Sequence, residues 1–125
     1  LSSALAGPAI AGLPLTRRGI AASFAVIAGH RQSVSTMDYR SYAGIDTLVV
    51  LMGVEHRDVI AGCLIEAGRT AGTPVLFLER VSTSEEKEVE STLGEVAGRP
   101  IQVAAPALMV IGEVVRLRQS ARKDL

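Results

Sequence analysis

The chain has 125 residues, 48% hydrophobic and 21% charged, with 13 basic side chains against 13 acidic ones, one cysteine and no tryptophan. That length supports one globular domain that buries about two-thirds of its unfolded surface, so neither a disulfide nor a structural metal is needed, and Cys63 has no internal partner. Zero net charge disfavours nucleic acid, whose phosphates call for a basic excess, and the longest apolar runs, Thr47 to Val54 and Ala104 to Gly112, fall far short of the roughly 20 residues that span a bilayer.

The opening segment, Ser2 to Ile10, is alanine-rich and predicts a helix that Gly7-Pro8 ends or distorts. It has no basic region ahead of it, as a signal peptide would, so a cytoplasmic protein is expected. The start at Leu1, without methionine, suggests a processed chain or a fragment. Aromatics are only 3% of residues, so the core must come from Val, Ile, Leu and Ala on regular elements. Ser23 to Ala28, closed by Gly29, and Thr47 to Met52, closed by Gly53, predict two strands. From Glu55 to Ala67, apolar residues at Val59, Ile60, Cys63, Leu64 and Ala67 follow helical spacing, and Gly68 supplies a C-terminal stop. Pro74 to Glu79 predicts a third strand, with proline at the first position where a missing N–H is tolerated. Thr83 to Glu86 fits a capping box, Ser91 to Ala97 a short helix, and Ala107 to Val115 a fourth strand.

These strands are nearly continuously hydrophobic, as expected where both faces of a sheet are covered. The connection from Gly53 to Pro74 is long enough for a right-handed crossover, so the expected fold is α/β: a mixed, largely parallel sheet flanked by helices. In such sheets ligands sit beyond the carboxyl ends of strands, which here are Met52-Gly53 and Glu79-Arg80-Val81.

Neither a G-x-G-x-x-G nor a Walker-type G-K-[ST] loop occurs, so nucleoside-triphosphate chemistry is disfavoured. His30 and His56 lie far apart with no ligand-spaced Cys or His nearby, and read as ordinary polar histidines, so no metal site is assigned. Cys63 falls on the apolar stripe of its helix and reads as a structural thiol. Met52 reads as core or as a ligand wall, since Gly53 opens space beside it. Glu85, Glu86, Glu88 and Glu90 read as a solvated face, and Arg116, Arg118, Arg122 and Lys123 as a soluble terminus. Spacing alone assigns no catalytic residue, which leaves a ligand-binding α/β unit.

Ser2 to Gly19 followed by Phe24 to His30, then Thr47 to Gly53, Gly72 to Val75 and Pro106 to Val115, resemble in order the uroporphyrinogen-III C-methyltransferases of the tetrapyrrole methylase family. The resemblance covers nearly the whole chain, and residues 1 to 125 look like the C-terminal domain of a two-domain enzyme whose N-terminal domain is not present in this chain. It implies transfer of methyl groups from S-adenosylmethionine to uroporphyrinogen III, giving precorrin-2 for sirohaem and cobalamin, with S-adenosylhomocysteine as by-product. It implies cofactor contacts at Ser2, Ser3, Met52 and Val81, and at Ala107 as a weaker candidate. The family pattern often has Tyr at Ile10, His at Arg17 and Gly at Val81; Arg17 keeps a donor that suits the carboxylates of an acidic tetrapyrrole. The implied partners are a tetrapyrrole, the absent N-terminal domain and a second copy in a homodimer, with no nucleic acid and no membrane. Since the cleft between the two domains holds the active site, the isolated chain is expected to be inactive and to expose an apolar docking surface. Another methylase of corrin precursors, or a non-catalytic binding or dimerisation module of the same fold, are the alternatives; diphthine synthase and ribosomal-RNA methylases are more remote.

Overall fold

Hydrophobic runs that must be shielded on both sides assemble here into one five-stranded sheet. The computed structural model describes residues 16–29, 38–51, 54–80, 84–99, 103 and 107–117. In chain order these hold β1 (Phe24–Ala28), α1 (Tyr39–Ala43), β2 (Thr47–Leu51), a 3-10 turn (Val54–His56) leading into α2 (Arg57–Glu66), β3 (Pro74–Glu79), β4 (Lys87–Thr92), α3 (Leu93–Gly98) and β5 (Ala107–Ile111). The sheet order is β1-β2-β5-β3-β4.

The mixed sheet between helical layers is as expected, but the largely parallel character is not. Of its four pairings only β1 with β2 is parallel, because β5 inserts antiparallel between β2 and β3. The crossover through α2 therefore joins two strands that run the same way without touching. The central slot suits β5, whose Met109, Val110 and Ile111 are fully buried, while the acidic β4 takes the edge. There, charged side chains discourage pairing with a further strand.

Alternation across the pleat explains the continuous hydrophobicity. Leu48 and Val50, Val75 and Phe77, and Met109 and Ile111 point to one face, where Ile60, Ala61 and Leu64 of α2 and Leu93 and Val96 of α3 cover them. Leu76, Leu78, Leu108 and Val110 point to the other, beneath Ala21, Val114 and Val115. Each such buried Leu, Val, Ile, Phe or Met side chain contributes about 1.5–3 kcal/mol of transfer free energy.

Helix α2 ends as its glycine foretells. Gly68 adopts φ +114°, its N–H donates to the Ile65 carbonyl at 3.0 Å and the Arg69 N–H to the Leu64 carbonyl at 2.9 Å, the two bonds of a Schellman motif. Its buried stripe is narrower than the sequence suggests: Val59 is 47% exposed and Cys63 only half-buried. The expected capping box at Thr83 to Glu86 starts no helix, since residues 84–86 form a turn into β4, and Thr83 itself lies outside the described residues. The same logic operates nine residues later. The Glu95 N–H donates to the Thr92 hydroxyl at 3.3 Å, and that hydroxyl lies 3.4 Å from Glu95 Oε1, which caps α3 and contributes about 1 kcal/mol. The last strand stops at Ile111, where Gly112 turns the chain at φ +148° and residues 114–117 wind helically. The opening helix, Ser2 to Ile10, lies outside the described residues.

Helix α1 went unpredicted because five residues are too few to show a period. Its Tyr39 and Tyr42 pack against the core beside α2. Burial, reinforced by the neighbouring Cys63 sulfur, pushes the Tyr39 phenol up to about 12. A raised folded-state pKa means that stability is unaffected below pH ~10 and falls as pH climbs from ~10 towards 12, where unfolded tyrosine has ionised and Tyr39 has not. Urea melts between pH 8 and 12 should show this decline, and Tyr39→Phe should remove it.

Candidate functional site at the strand ends

The sheet has two unlike ends. At one, the starts of β1, β2 and β3 meet the finish of β5, and polar clamps tie them together. The Asp46 carboxylate accepts from the Ala22 N–H at 2.8 Å and from the Ser23 N–H and hydroxyl, each at 3.3 Å. These bonds, the Ala22 amide first, hold its pKa below the usual carboxylate range with help from the nearby Arg69 charge. Arg69, half-buried in the turn between α2 and β3, donates to the carbonyls of Ala43 at 3.2 Å, of Ile45, and of Asp46 at 2.7 Å. Arg116 pairs with Glu113 at 2.6 Å and donates to the Gly72 carbonyl at 3.0 Å. It is thus part of the scaffold rather than of a loose basic tail; Arg118, Arg122 and Lys123 lie outside the described residues. Among the described residues, Asp46, Arg69 and Arg116 at this end are committed to these clamps.

The opposite end gathers the carboxyl ends of β1, β2 and β3 with the start of β5. The Gly29 N–H donates to the Leu51 carbonyl at 2.6 Å, so the parallel pairing of β1 and β2 continues to the last described residue of each. Ala107, half-buried, opens β5 in register with Glu79, and Glu79 is also in register with Lys87 of β4. Glu79 is 6% exposed, a carboxylate closing an otherwise apolar strand. Arg80 follows in a left-handed conformation, φ +47°, the one non-glycine residue with positive φ among those described, and its guanidinium pairs with Glu85. Backbone strain of this kind clusters at ligand sites. Leu51, half-buried, and Leu108, buried, are apolar residues at the same end of the sheet.

Of the sequence-predicted contacts, the structure places Ala107 on this rim. Met52 and Val81 directly follow Leu51 and Arg80 in the chain but lie outside the described residues, as do Ser2 and Ser3. The sequence marks Arg80 only as part of the strand end Glu79-Arg80-Val81 and gives it no contact of its own; its signal is a charge directly after a buried strand. A separate cavity of about 390 Å³ opens between the start of α2 and the end of α3, lined by Glu55, Arg57, Asp58, Val96 and Arg99 among others. It holds none of the predicted contacts. Among the described residues no group of three or more His, Cys, Asp or Glu could hold a metal ion, and no helix is long and apolar enough to cross a membrane.

This end of the sheet, at the finish of β1, β2 and β3, is where the resemblance places the cofactor contacts. The sequence pattern of the Tetrapyrrole (Corrin/Porphyrin) Methylases matches residues 1–97. The chain belongs to this family. This tetrapyrrole methylase chain is 34% identical over 120 residues to a uroporphyrinogen-III C-methyltransferase of Priestia megaterium, covering 92% of itself and 50% of that protein. It is 42% identical over 114 residues to a sirohaem synthase of Azotobacter vinelandii, covering 88% of itself and 25% of that protein. A crystal structure of uroporphyrin-III C-methyltransferase from Thermus thermophilus, complexed with S-adenosylhomocysteine, superposes with a TM-score of 0.80 at 46% identity, covering 86% of this chain and 49% of the other. The tetrapyrrole methylase chain therefore spans about half the length of these methyltransferases and a quarter of the sirohaem synthase.

Proposed function

We propose that this chain is the C-terminal, cofactor-binding half of an S-adenosylmethionine-dependent uroporphyrinogen-III C-methyltransferase that makes precorrin-2 for sirohaem and cobalamin. The observation that carries this is the rim itself: β2, β3 and β5 bring Leu51, Glu79 and Ala107 to one end of the sheet, next in sequence to Met52 and Val81, in a chain 34% identical to a protein of that name. The chemistry of the rim suits the cofactor. An adenosyl thioether carries no phosphate and calls for apolar walls with a few polar groups, and Leu51, Ala107 and Leu108 supply the first while Glu79 and the strand-end backbone supply the second.

When bound, S-adenosylmethionine supplies an electrophilic methyl group. The part of this chain is then positional: to hold the cofactor at Ser2, Ser3, Met52, Val81 and Ala107, on a sheet end kept rigid by the clamps at the far pole, so that the methyl faces a substrate carbon. A preceding domain completes the cleft and excludes water. A homodimer and a cytoplasmic setting belong to the same proposal. Phe24 and Val26 of edge strand β1, 45% and 42% exposed, and Ile20 in the turn before it, 41% exposed, leave apolar surface of the kind that such contacts cover.

Calorimetric titration of the full-length protein with S-adenosylhomocysteine tests this. Binding is expected, and Met52→Ala should weaken it about tenfold, or about 1.4 kcal/mol, with little change in the urea midpoint. Lack of binding by the folded wild type would remove the proposal. A mutant that loses about 2–5 kcal/mol of stability but keeps its affinity would return Met52 to the core.

A further inference from the structure

Strand β3 is buried from Pro74 to Glu79, and the next residue leaves the sheet in a conformation that L-residues avoid. Holding Arg80 at φ +47° costs about 1–2 kcal/mol, a cost that glycine at the same turn would not incur. The Arg80 side chain is 44% exposed and that of its partner Glu85 66%, and ion pairs so open to water contribute about 0–1 kcal/mol. Arg80 thus combines a strained backbone with an ion pair open to water. It stands one residue beyond Glu79, whose register partner is Ala107, at the rim to which the proposed function assigns cofactor and substrate.

We propose that Arg80 is a specificity-determining residue that receives a carboxylate of an acidic tetrapyrrole, with Glu85 occupying the guanidinium until substrate displaces it. This rests on the proposed function and adds to it a substrate contact. The guanidinium is the right group, because its planar fork matches a carboxylate in two parallel hydrogen bonds. Glu85 is the right placeholder, because it orients the fork towards an anion yet is exposed enough for another carboxylate to exchange with it. The turn of residues 84–86, which carries Glu85 into β4, keeps the exchanging anion beside the rim after displacement.

The test uses the full-length protein and three probes: S-adenosylhomocysteine by calorimetry, and uroporphyrin III, an octacarboxylate, and coproporphyrin III, a tetracarboxylate, by fluorescence titration. Arg80→Gly keeps the left-handed backbone, so the urea midpoint and the cofactor affinity should hold while affinity for uroporphyrin III falls about tenfold. The preference for uroporphyrin III over coproporphyrin III should shrink with it. Arg80→Lys keeps the charge without the fork and should recover part of the loss. Unchanged porphyrin affinity in Arg80→Gly, with cofactor still bound, would overturn the role of Arg80 and leave the methyltransferase proposal standing. Parallel loss of stability and of affinity for all three probes would overturn it in favour of a structural role. A folded wild type that binds neither cofactor nor porphyrin would remove the functional proposal, and this one with it.

Discussion

Gly112→Ala should destabilise the fold by about 3–5 kcal/mol, a large share of the roughly 5–15 kcal/mol that holds a domain folded. Gly112 ends β5 at φ +148°, where a side chain is strained whatever the space, and here there is none. A Cβ would fall deep inside the van der Waals radius of the Asp46 carbonyl oxygen and within 3.3 Å of Thr47 Cα. Neither obstacle can move, because the first is main chain held by Arg69 and the second opens the buried strand β2. The backbone of Gly112 is also pinned from the other side, its N–H donating to the Pro74 carbonyl at 3.1 Å. Gly44→Ala is the control. Gly44 has φ −87° and open space around it, so its urea midpoint should stay close to that of the wild type. Similar midpoints for the two mutants would show that the β5 terminus relaxes freely and that the close approach is unimportant.

Arg69→Ala should cost about 2–4 kcal/mol, since three carbonyls of one turn lose a charged donor at once. Burial lowers the Arg69 pKa from its ordinary value, with Asp46 and Glu113 opposing that effect, so the guanidinium is partly desolvated yet held among acceptors. Removing it leaves Ala43, Ile45 and Asp46 to find water, and loosens the segment against which Gly112 packs. Lysine is a poor substitute: a single ammonium cannot span carbonyls that two guanidinium nitrogens reach, so Arg69→Lys should recover less than half of the loss. Urea melts measure the cost, and amide exchange locates it, with faster exchange at the start of β2 expected first. A change below about 0.5 kcal/mol in Arg69→Ala would mean that water replaces the guanidinium without penalty.

Both substitutions strike the rigid end of the sheet and neither touches the strand-end rim. Folded protein that survives either one should therefore keep its cofactor affinity, which separates the scaffold from the site.

Much of this was legible in the chain. Thr47 to Leu51 and Pro74 to Glu79 are runs whose hydrophobicity has only one use, burial on both faces, and both form strands where expected. Gly68 was readable because a helix stop needs a left-handed residue, whatever surrounds it. Strand β4 was not legible. Lys87, Glu88 and Glu90 look like a solvated run, and only pairing with β3 gives Val89 a core to pack against. Strand β5 was overextended because Val114 and Val115 are as apolar as Val110, and the break at Gly112 is imposed by the Asp46 backbone, 66 positions earlier in the chain.

Of the proposed contacts, Met52 and Val81 could be read as following the ends of hydrophobic strands, whereas Ser2, Ser3 and Ala107 come from the family resemblance alone. Sequence determined which segments are strands, which helix carries the crossover and which family motifs the chain holds, because local periodicity and turn chemistry act over a few residues. Tertiary structure decided that β5 lies between β2 and β3, that Arg69 and Asp46 clamp one pole, and that Arg80 is strained beside the other. Those outcomes depend on groups tens of positions apart competing for the same buried edges and acceptors, and no local pattern records who wins that competition.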